Sequence, residues 1–554
     1  MDAGNGDASV TVGGRPIKVD ASKPLDVAVA SRLGFKYAIR GSLVLWPYSF
    51  KPWDCGRYVW AEGTPVDIFA EAKRAVNISL EKPPSRHPKE PPTISKLEAL
   101  SKVAATSIGA SLSTTSVDVL IVGLGLSGLA AAEAAVERGL SVAAVDFSPS
   151  PGGYLSAIWS YSELDESKSS AEITAGIYSR LVASQRFKAL LGYEYVTPLG
   201  GGRHLVKGQD GFLEVKARVV IYAHGGLDAR PLLPGNWLPG IVSSDYVMRL
   251  SSLYDTRFKS LAVIGWSEWA LRVAGQLASR HADRVVIVSK KEIKPGMPYY
   301  DYASRYGVEL IVDRVENAKP HSDGILLEFR EYEPVVVDAV VSAIGPYPEI
   351  PTLILGGADV LFSESARMIV PRLGEDYSAG PNLFAAGLAA GYLSEYATYH
   401  SGRVVGLAAA SKLGVADEAE VKSEVLELMK DPRAADLLVE QMQGSQPVPP
   451  SEPEALVASG ISHGELVDAC SWVDAEEFES ALRRFRSLEA AVAFTGALHG
   501  LDAGRESFQT IVQFASTVLG LSPQALRLRE IVPSNSSSIL GIPDLWAVSG
   551  ELRW

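Results

Sequence analysis

Apolar and polar positions along the chain fall into three regimes. Between residues 8 and 80 short runs dominate. SVTVGGRPIKV reads as two strands around a Gly-Gly turn, and LVLWPYSF and YVWAEGTPVDIFA as further strand-like segments. LDVAVASRLG has helical spacing and is closed by Gly34. KPPSRHPKEPPTI (82–94) mixes proline with charge, propagates neither helix nor sheet, and is expected to be a linker. From 117 to about 415 apolar strands alternate with Ala-rich helical stretches, the pattern of an α/β sheet protein. The polar stretch QGSQPVPPSEPE (443–454) then sets off a mostly helical C-terminal piece, typified by ELVDACSWVDAEEFESALRRF. No short-period repeat is visible.

The strongest signal lies at 117–146, VDVLIVGLGLSGLAAAEAAVERGLSVAAVD. A buried strand (Val119–Val122) enters Gly123-x-Gly125-x-x-Gly128, a helix runs to about Arg138, Gly139 ends it, and a second strand (Val142–Val145) finishes at Asp146. Each glycine has a physical task. Gly123 permits the tight turn, Gly125 removes a side chain so that a pyrophosphate can approach the backbone, and Gly128 lets helix and strand pack closely. The helix N-terminus, carrying Leu126 and Ser127, offers unpaired N–H groups and positive partial charge. Asp146, followed by Phe147, is placed to accept hydrogen bonds from an adenosine ribose, which favours FAD or NAD over NADP. The stretch 117–136 has transmembrane length, but three glycines, Asp118 and Glu133 interrupt it; a strand running into a packed helix is the expected structure, with no membrane insertion.

A second strand–turn–helix–strand segment follows at 260–290, with its turn reading Gly265-x-Ser267-x-x-Ala270. Ser267 stands where a glycine would admit pyrophosphate, Trp266 and Trp269 flank it, and the second strand ends in Ser289-Lys290-Lys291 rather than an acid. The lysines could meet a 2′-phosphate. A retained fold with a closed or altered nucleotide site is the expected reading, because a side chain at that turn blocks close approach.

Composition narrows the partners. At 554 residues the chain has room for three or four domains, and 47% apolar with 21% charged residues fits packed globular units. A net charge of -13 argues against nucleic acid or anionic membrane as main partner. The two cysteines, Cys55 and Cys470, are too few for a disulfide framework, a thiolate zinc site or an iron–sulfur cluster, and a cytoplasmic home is expected. The N-terminus has neither the basic start nor the apolar run of a signal peptide. The eight histidines show no metal-ligand spacing; ordinary hydrogen bonding is expected for His224 and His400.

Beyond the fingerprint come PGGYL (151–155, with Gly152 and Gly153), RVVIYAHGGLDARPLLPGNWLPGIV (218–242), VVSAIGPYP (340–348) and PNLFAAGLAAGY (381–392). In this order they resemble the two-dinucleotide-domain flavoprotein superfamily. Ala223, His224 and Gly225 stand where that superfamily shows Ala-Thr-Gly. Gly387 and Leu388 stand where it shows Gly-Asp, the Asp taking a hydrogen bond from a flavin's ribityl chain. Loss of that carboxylate weakens a flavin site by about 1.5–3 kcal/mol without abolishing it. The helix from about Gly391 is expected to aim its N-terminus at the site.

The flanks are more specific. SFKPWDCGRYVWAEG (49–63) is similar to the N-terminal β-grasp-like domain of the alpha subunit of heterotetrameric sarcosine oxidase. GLDAGRESFQTI through LREIVPSNSSSILGI (500–542) resembles a small helical domain of the same group, which in relatives such as dye-linked proline dehydrogenase holds a [2Fe–2S] centre on a cysteine cluster. Here those cysteines are missing, and the large folate-binding domain is not present, so neither iron–sulfur cluster nor folate is expected.

The resemblance implies an α/β protein with two Rossmann-like dinucleotide-binding domains. The first, discontinuous, covers 117–242 and 330–415, and the second, degenerate, 243–329. Around them lie a β-grasp-like N-terminal domain (1–81), a linker (82–116), a helix and linker (416–455) and a C-terminal helical domain (456–554). One dinucleotide, NAD or FAD, is expected at Gly123–Gly128 and Asp146, with a modest preference for NAD⁺. Amine oxidation would fall to a separate flavin-bearing beta-type subunit in a hetero-oligomer. Two alternatives stay open: a stand-alone NAD(P)H-dependent flavin reductase and a non-catalytic scaffold subunit. Without a cysteine pair beside the cofactor, disulfide reduction is not expected.

Overall fold

The computed structural model describes four N-terminal strands (Asp7–Val12, Arg15–Asp20, Tyr37–Arg40 and Val59–Ala61) and residues 111–444 apart from 149, 209, 210, 237, 239 and 255. It further describes residues 465–468, 471, 473–498 and 504–532. The helix expected in LDVAVASRLG, the run LVLWPYSF, the 82–94 linker and both cysteines lie outside the described residues. The two strands expected in SVTVGGRPIKV pair antiparallel, the register ending at Val12 opposite Arg15.

The strand that leads into Gly123 is longer than its apolar pattern suggested, running from Ser111 to Val122. Its first half, SLSTTS, begins inside the stretch expected to be linker. It pairs in parallel with the first half of Gly211–Tyr222, so backbone hydrogen bonds rather than apolar side chains define it. Further along, Val119, Leu120 and Ile121 are fully buried, as expected of a parallel strand covered on both faces.

A seven-stranded sheet grows around this strand, in the order Phe187–Leu191, Val142–Asp146, Ser111–Val122, Gly211–Tyr222, Arg203–Gly208, Glu194–Gly200. The late strand Leu383–Ala385 joins in parallel to Val220–Tyr222, so the chain returns to the first unit after completing the second. The second unit is a five-stranded parallel sheet ordered Ile241–Ser243, Ala339–Ser342, Phe258–Ile264, Ala282–Ser289, Glu309–Val312. It runs through Ser342, past the break expected at 329/330, because Ala339–Ser342 returns between two strands of that sheet. The two crossovers pair with each other, Gly226–Leu227 against Tyr347–Pro348.

The Leu126–Glu137 helix is buried along most of its length, with no polar stripe. Alanine and glycine make this possible. On the facing Glu395–Lys412 helix, a Cβ on Gly402 would lie 2.3 Å from the Ser127 carbonyl oxygen, and one on Gly406 2.6 Å from that of Ala131. The C-terminal helices Ala475–Phe485, Leu488–Thr495 and Phe508–Leu519 share the first unit's core through Phe478, Phe508 and Phe514. Gln509 clamps them to the Met368–Pro371 strand, accepting from Ile369 N (3.0 Å) and donating to Ile369 O (2.9 Å). No helix among the described residues is long and apolar enough to cross a membrane.

Candidate functional site

The glycine turn folds as its sequence demands. Gly123 has φ +97, a left-handed conformation suited to glycine, and a Cβ there would lie 2.4 Å from Ala223 O. A Cβ on Gly128 would lie 2.0 Å from Gly123 O, so this residue fixes the approach of helix to turn. Gly125 differs: its nearest neighbour would be Gly153 Cα at 3.9 Å. A Cβ at Gly125 would therefore make only ordinary van der Waals contact, and its absence suits the close approach a pyrophosphate needs. Gly125 caps the Leu126–Glu137 helix without any side-chain hydrogen bond, leaving the helix end available to an anion.

Asp146 ends the second strand as expected. Its Oδ2 accepts from Leu124 N (2.7 Å) and its Oδ1 from Ser148 N (2.8 Å), which ties the carboxylate to the glycine turn. Gly152 N donates to Leu124 O (2.8 Å), laying the PGGYL segment across the same turn. Ala223 N donates to Val122 O (2.8 Å), bringing the crossover against it.

A cavity of about 430 Å³ opens from this turn toward the second unit. Gly123, Gly125, Leu126, Ser127, Asp146, Phe147, Gly152, Gly153, Ala223, Gly225 and Leu388 line it. Two expected site residues stand behind the wall. Gly128 serves helix packing, and Gly387, with φ +62, is held by Ser401 Oγ accepting from its N–H (2.9 Å). A Cβ on Gly387 would lie 2.3 Å from Ser127 Oγ.

The far end of the cavity was not foreseen from sequence. It lies at the seam between the two units, where Arg272 and Glu395 form a buried ion pair (3.1 Å) with side chains 4% and 1% exposed. Arg272 Nε donates to Ser160 Oγ (2.9 Å), its Nη2 donates to Tyr161 O (3.1 Å) and Ser170 Oγ, and the guanidinium lies 4.7 Å from the Tyr299 ring centre. Glu395 accepts from Ser162 Oγ (2.6 Å) and Ser170 Oγ (2.7 Å). Such a network is favourable only when its donors and lone pairs are matched, and here Arg272 Nε and Nη2 and both Glu395 oxygens have partners.

The Glu395–Lys412 helix also corrects an expectation. It begins at Glu395, after a separate short turn at Gly387–Ala390, and not near Gly391. Its first N–H groups are taken by the protein itself, Ala397 N donating to Ser394 Oγ (3.0 Å) and Tyr396 N to Glu163 Oε2 (3.1 Å). Burial raises the Glu163 carboxyl above its ordinary value, partly countered by the Tyr396 N–H.

At the second turn, a Cβ on Gly265 would lie 2.4 Å from Ala343 O, repeating the geometry of Gly123 and Ala223. Ser267, however, caps the Glu268–Arg280 helix, its Oγ accepting from Ala270 N (3.4 Å). Lys290 and Lys291 lie 5.3 and 5.0 Å from the Trp266 ring centre. Trp269 Nε1 donates to Ser244 Oγ (2.9 Å), and its ring meets that of Tyr154 edge-on at 5.8 Å.

Among the described residues, His204, His224 and His400 are hydrogen-bonded side chains. His400 Nδ1 contacts Glu424 Oε1, and His204 Nδ1 bonds Tyr195 OH (3.0 Å). Burial holds His204 down to about 4. His224 lines the cavity beside Gly225, and its Nε2 lies 2.9 Å from both Glu349 O and Glu349 Oε2. Among the described residues no group of three or more His, Cys, Asp or Glu side chains is placed to hold a metal ion.

Two nucleotide-type units, the first with a glycine turn tied to an acid at the end of its second strand, are the frame of a dinucleotide-dependent oxidoreductase. Residues 117–404 match the sequence model for pyridine nucleotide-disulphide oxidoreductases, and the chain belongs to that family. It is an enzyme of the FAD/NAD(P)-dependent class. Ferredoxin–NADP reductase of Acholeplasma laidlawii (strain PG-8A) is 26% identical over 239 residues, 40% of this chain and 71% of that protein. The crystal structure of L-proline dehydrogenase from P. horikoshii covers 98% of both chains with a TM-score of 0.65 at 17% identity, so the two share a fold.

Proposed function

We propose that the protein is an alpha-type subunit of an amine or amino-acid oxidoreductase, similar to that of sarcosine oxidase. It holds one dinucleotide, NAD or FAD, and works in the cytoplasm with a flavin-bearing partner that oxidises a secondary amine or amino acid. The extent of the structural likeness carries this reading. L-proline dehydrogenase of P. horikoshii matches from end to end, over 98% of each chain, whereas the ferredoxin–NADP reductase relative spans 40% of this one.

When bound, a dinucleotide supplies hydride or electron transfer. The chain's residues bind and orient it. Gly125 leaves room for the pyrophosphate, the Leu126–Glu137 helix end faces it, and Asp146 accepts from the ribose hydroxyls. Leu388 offers no acceptor to a ribityl chain, and Glu163 already occupies the end of the Glu395–Lys412 helix. Both features favour NAD⁺ over FAD.

A second reading, a stand-alone NAD(P)H-dependent reductase, draws on the ferredoxin–NADP reductase relative. Ser267 and the lysine-flanked Trp266 weigh against it, because they put side chains at the turn where a nicotinamide dinucleotide's pyrophosphate would approach the backbone. Purification from the native cell, followed by identification of released nucleotide, separates the two. The first reading expects a hetero-oligomer with a flavoprotein and amine-dependent dye reduction only in the complex. Rapid NADH oxidation by the isolated chain with an artificial acceptor would overturn it.

A further inference from the structure

A buried arginine on the cavity wall has more donors than the protein uses. Arg249 belongs to the Ser244–Tyr254 helix of the second unit, outside both glycine turns, and lines the cavity together with Gly125, Gly153 and Asp146. Its side chain is 9% exposed. Nε donates to Asp245 Oδ1 (2.9 Å), one helical turn back, and Asp245 is itself buried. The guanidinium makes no other hydrogen bond or ion pair among the described residues, which leaves the N–H groups of Nη1 and Nη2 without an acceptor from them. Buried polar groups are matched as a rule, and buried charges more strictly than neutral groups. Neither Nη nitrogen is closed in, and the open space beside the side chain is the cavity.

Packing holds this helix against the first unit's cradle. Ser252 Oγ, one turn beyond Arg249, donates to Ala157 O (3.0 Å), at the end of the short Gly153–Ala157 turn. That turn follows Gly152, whose N–H donates to Leu124 O (2.8 Å) in the glycine loop. Charge connects the same two places. Burial works against the Arg249 charge, but the charge and hydrogen bond of Asp245, with the charge of Asp146 added, outweigh it and hold the guanidinium above its ordinary value. Asp146 is the acid whose Oδ2 accepts from Leu124 N (2.7 Å). The Tyr154 hydroxyl takes none of the charge: burial keeps it protonated well above the ordinary range, and it donates to Gly226 O (3.2 Å). A permanent cation with unmatched donors, within the field of the acid at the glycine turn, suits an anionic oxygen better than a neutral one, because charge-assisted bonds are about twice as strong.

We propose that Arg249 is a further anchor for the bound dinucleotide, its Nη groups donating to an oxygen of the pyrophosphate, the anion that NAD⁺ and FAD share. The proposal rests on the reading that the Gly123–Gly128 turn holds a dinucleotide. The pyrophosphate is then held from two sides, by the backbone of the first unit at Gly125 and by a side chain of the second. Asp245 is a positioning residue, fixing the guanidinium through Nε and leaving its Nη edge to the ligand. The second unit, whose own turn carries Ser267, thus keeps a part in nucleotide binding by completing the site of the first.

The test is calorimetric titration of the full chain with NAD⁺, FAD and ADP, alongside ³¹P spectra of the bound nucleotide. Arg249→Met should bind all three about tenfold to a hundredfold more weakly, and the pyrophosphate resonances of the bound nucleotide should move from their wild-type positions. That change strands the buried Asp245 carboxylate, so Arg249→Met/Asp245→Asn is measured beside it and should show the same loss and the same moved resonances. Arg249→Lys, which keeps the charge without the planar fork, should recover part of the affinity. A loss for NAD⁺ and FAD but not for ADP would put the contact at the nicotinamide or flavin end and overturn the proposal. Wild-type affinity in both methionine variants, or weaker binding with unmoved phosphorus resonances, would also overturn it while leaving the nucleotide site intact. No binding of either dinucleotide by the wild-type chain would overturn both.

Discussion

The two nucleotide-type turns share a frame and differ at two positions in three, Gly125 against Ser267 and Gly128 against Ala270. Gly123 and Gly265 occupy equivalent crowded positions: a Cβ on either would lie 2.4 Å from a carbonyl oxygen of the crossover strand, Ala223 or Ala343. Both glycines are thus demanded by the fold, with or without a ligand. The middle position is free of that demand, since a Cβ on Gly125 would come no nearer than 3.9 Å to a neighbour and Ser267 serves as a helix cap. On the proposed reading, a glycine the fold does not need leaves room for a ligand, and the serine at the second turn puts a side chain where a pyrophosphate would approach.

The largest effect expected from breaking this arrangement lies at the seam joining the two units. Arg272→Ala strands the buried Glu395 carboxylate and should cost about 3–5 kcal/mol in urea unfolding. The Arg272→Met/Glu395→Leu double variant should recover most of that loss. Next comes Gly125→Leu, which should leave folding intact yet weaken dinucleotide binding at least ~100-fold, roughly 2.7 kcal/mol. Ser267→Leu, its counterpart at the second turn, should leave dinucleotide affinity unchanged.

A smaller, pH-dependent effect belongs to the first unit. Because burial holds His204 down to about 4, the folded protein keeps it neutral where an unfolded chain would protonate it near 6.5. Its contribution is full above ~6.5 and is lost as pH falls toward ~4. Urea midpoints should therefore show about 2 kcal/mol less stability at pH ~5 than at pH ~7.5, a loss that His204→Gln removes. The smallest change is Ser267→Ala, expected to lower stability by ~1 kcal/mol through the lost cap and to leave dinucleotide affinity untouched.

What could be read from the sequence follows the same division. Close approach of backbones writes itself locally, so Gly123, Gly125, Gly128 and Asp146 were legible within one strand–turn–helix–strand segment. The return of PNLFAAGLAAGY to the first sheet was legible because its strand is apolar and short. Segments defined by backbone pairing alone were not: SLSTTS has no apolar alternation, and only its partner Gly211–Lys216 makes it a strand. The seam was equally hidden. Arg272 and Glu395 lie 123 positions apart, and His224 and Glu349 125, so no local spacing announces either pair. Glu163, which ends up at the start of the Glu395–Lys412 helix, reads in sequence as an ordinary surface carboxylate.

The central claim is that the first turn alone holds a dinucleotide. Calorimetric titration of the purified chain with NAD⁺ and with FAD tests it most directly. The account predicts one equivalent of dinucleotide per chain, abolished by Gly125→Leu and unaffected by Ser267→Leu. Two equivalents per chain, or binding that survives Gly125→Leu and disappears with Ser267→Leu, would contradict it.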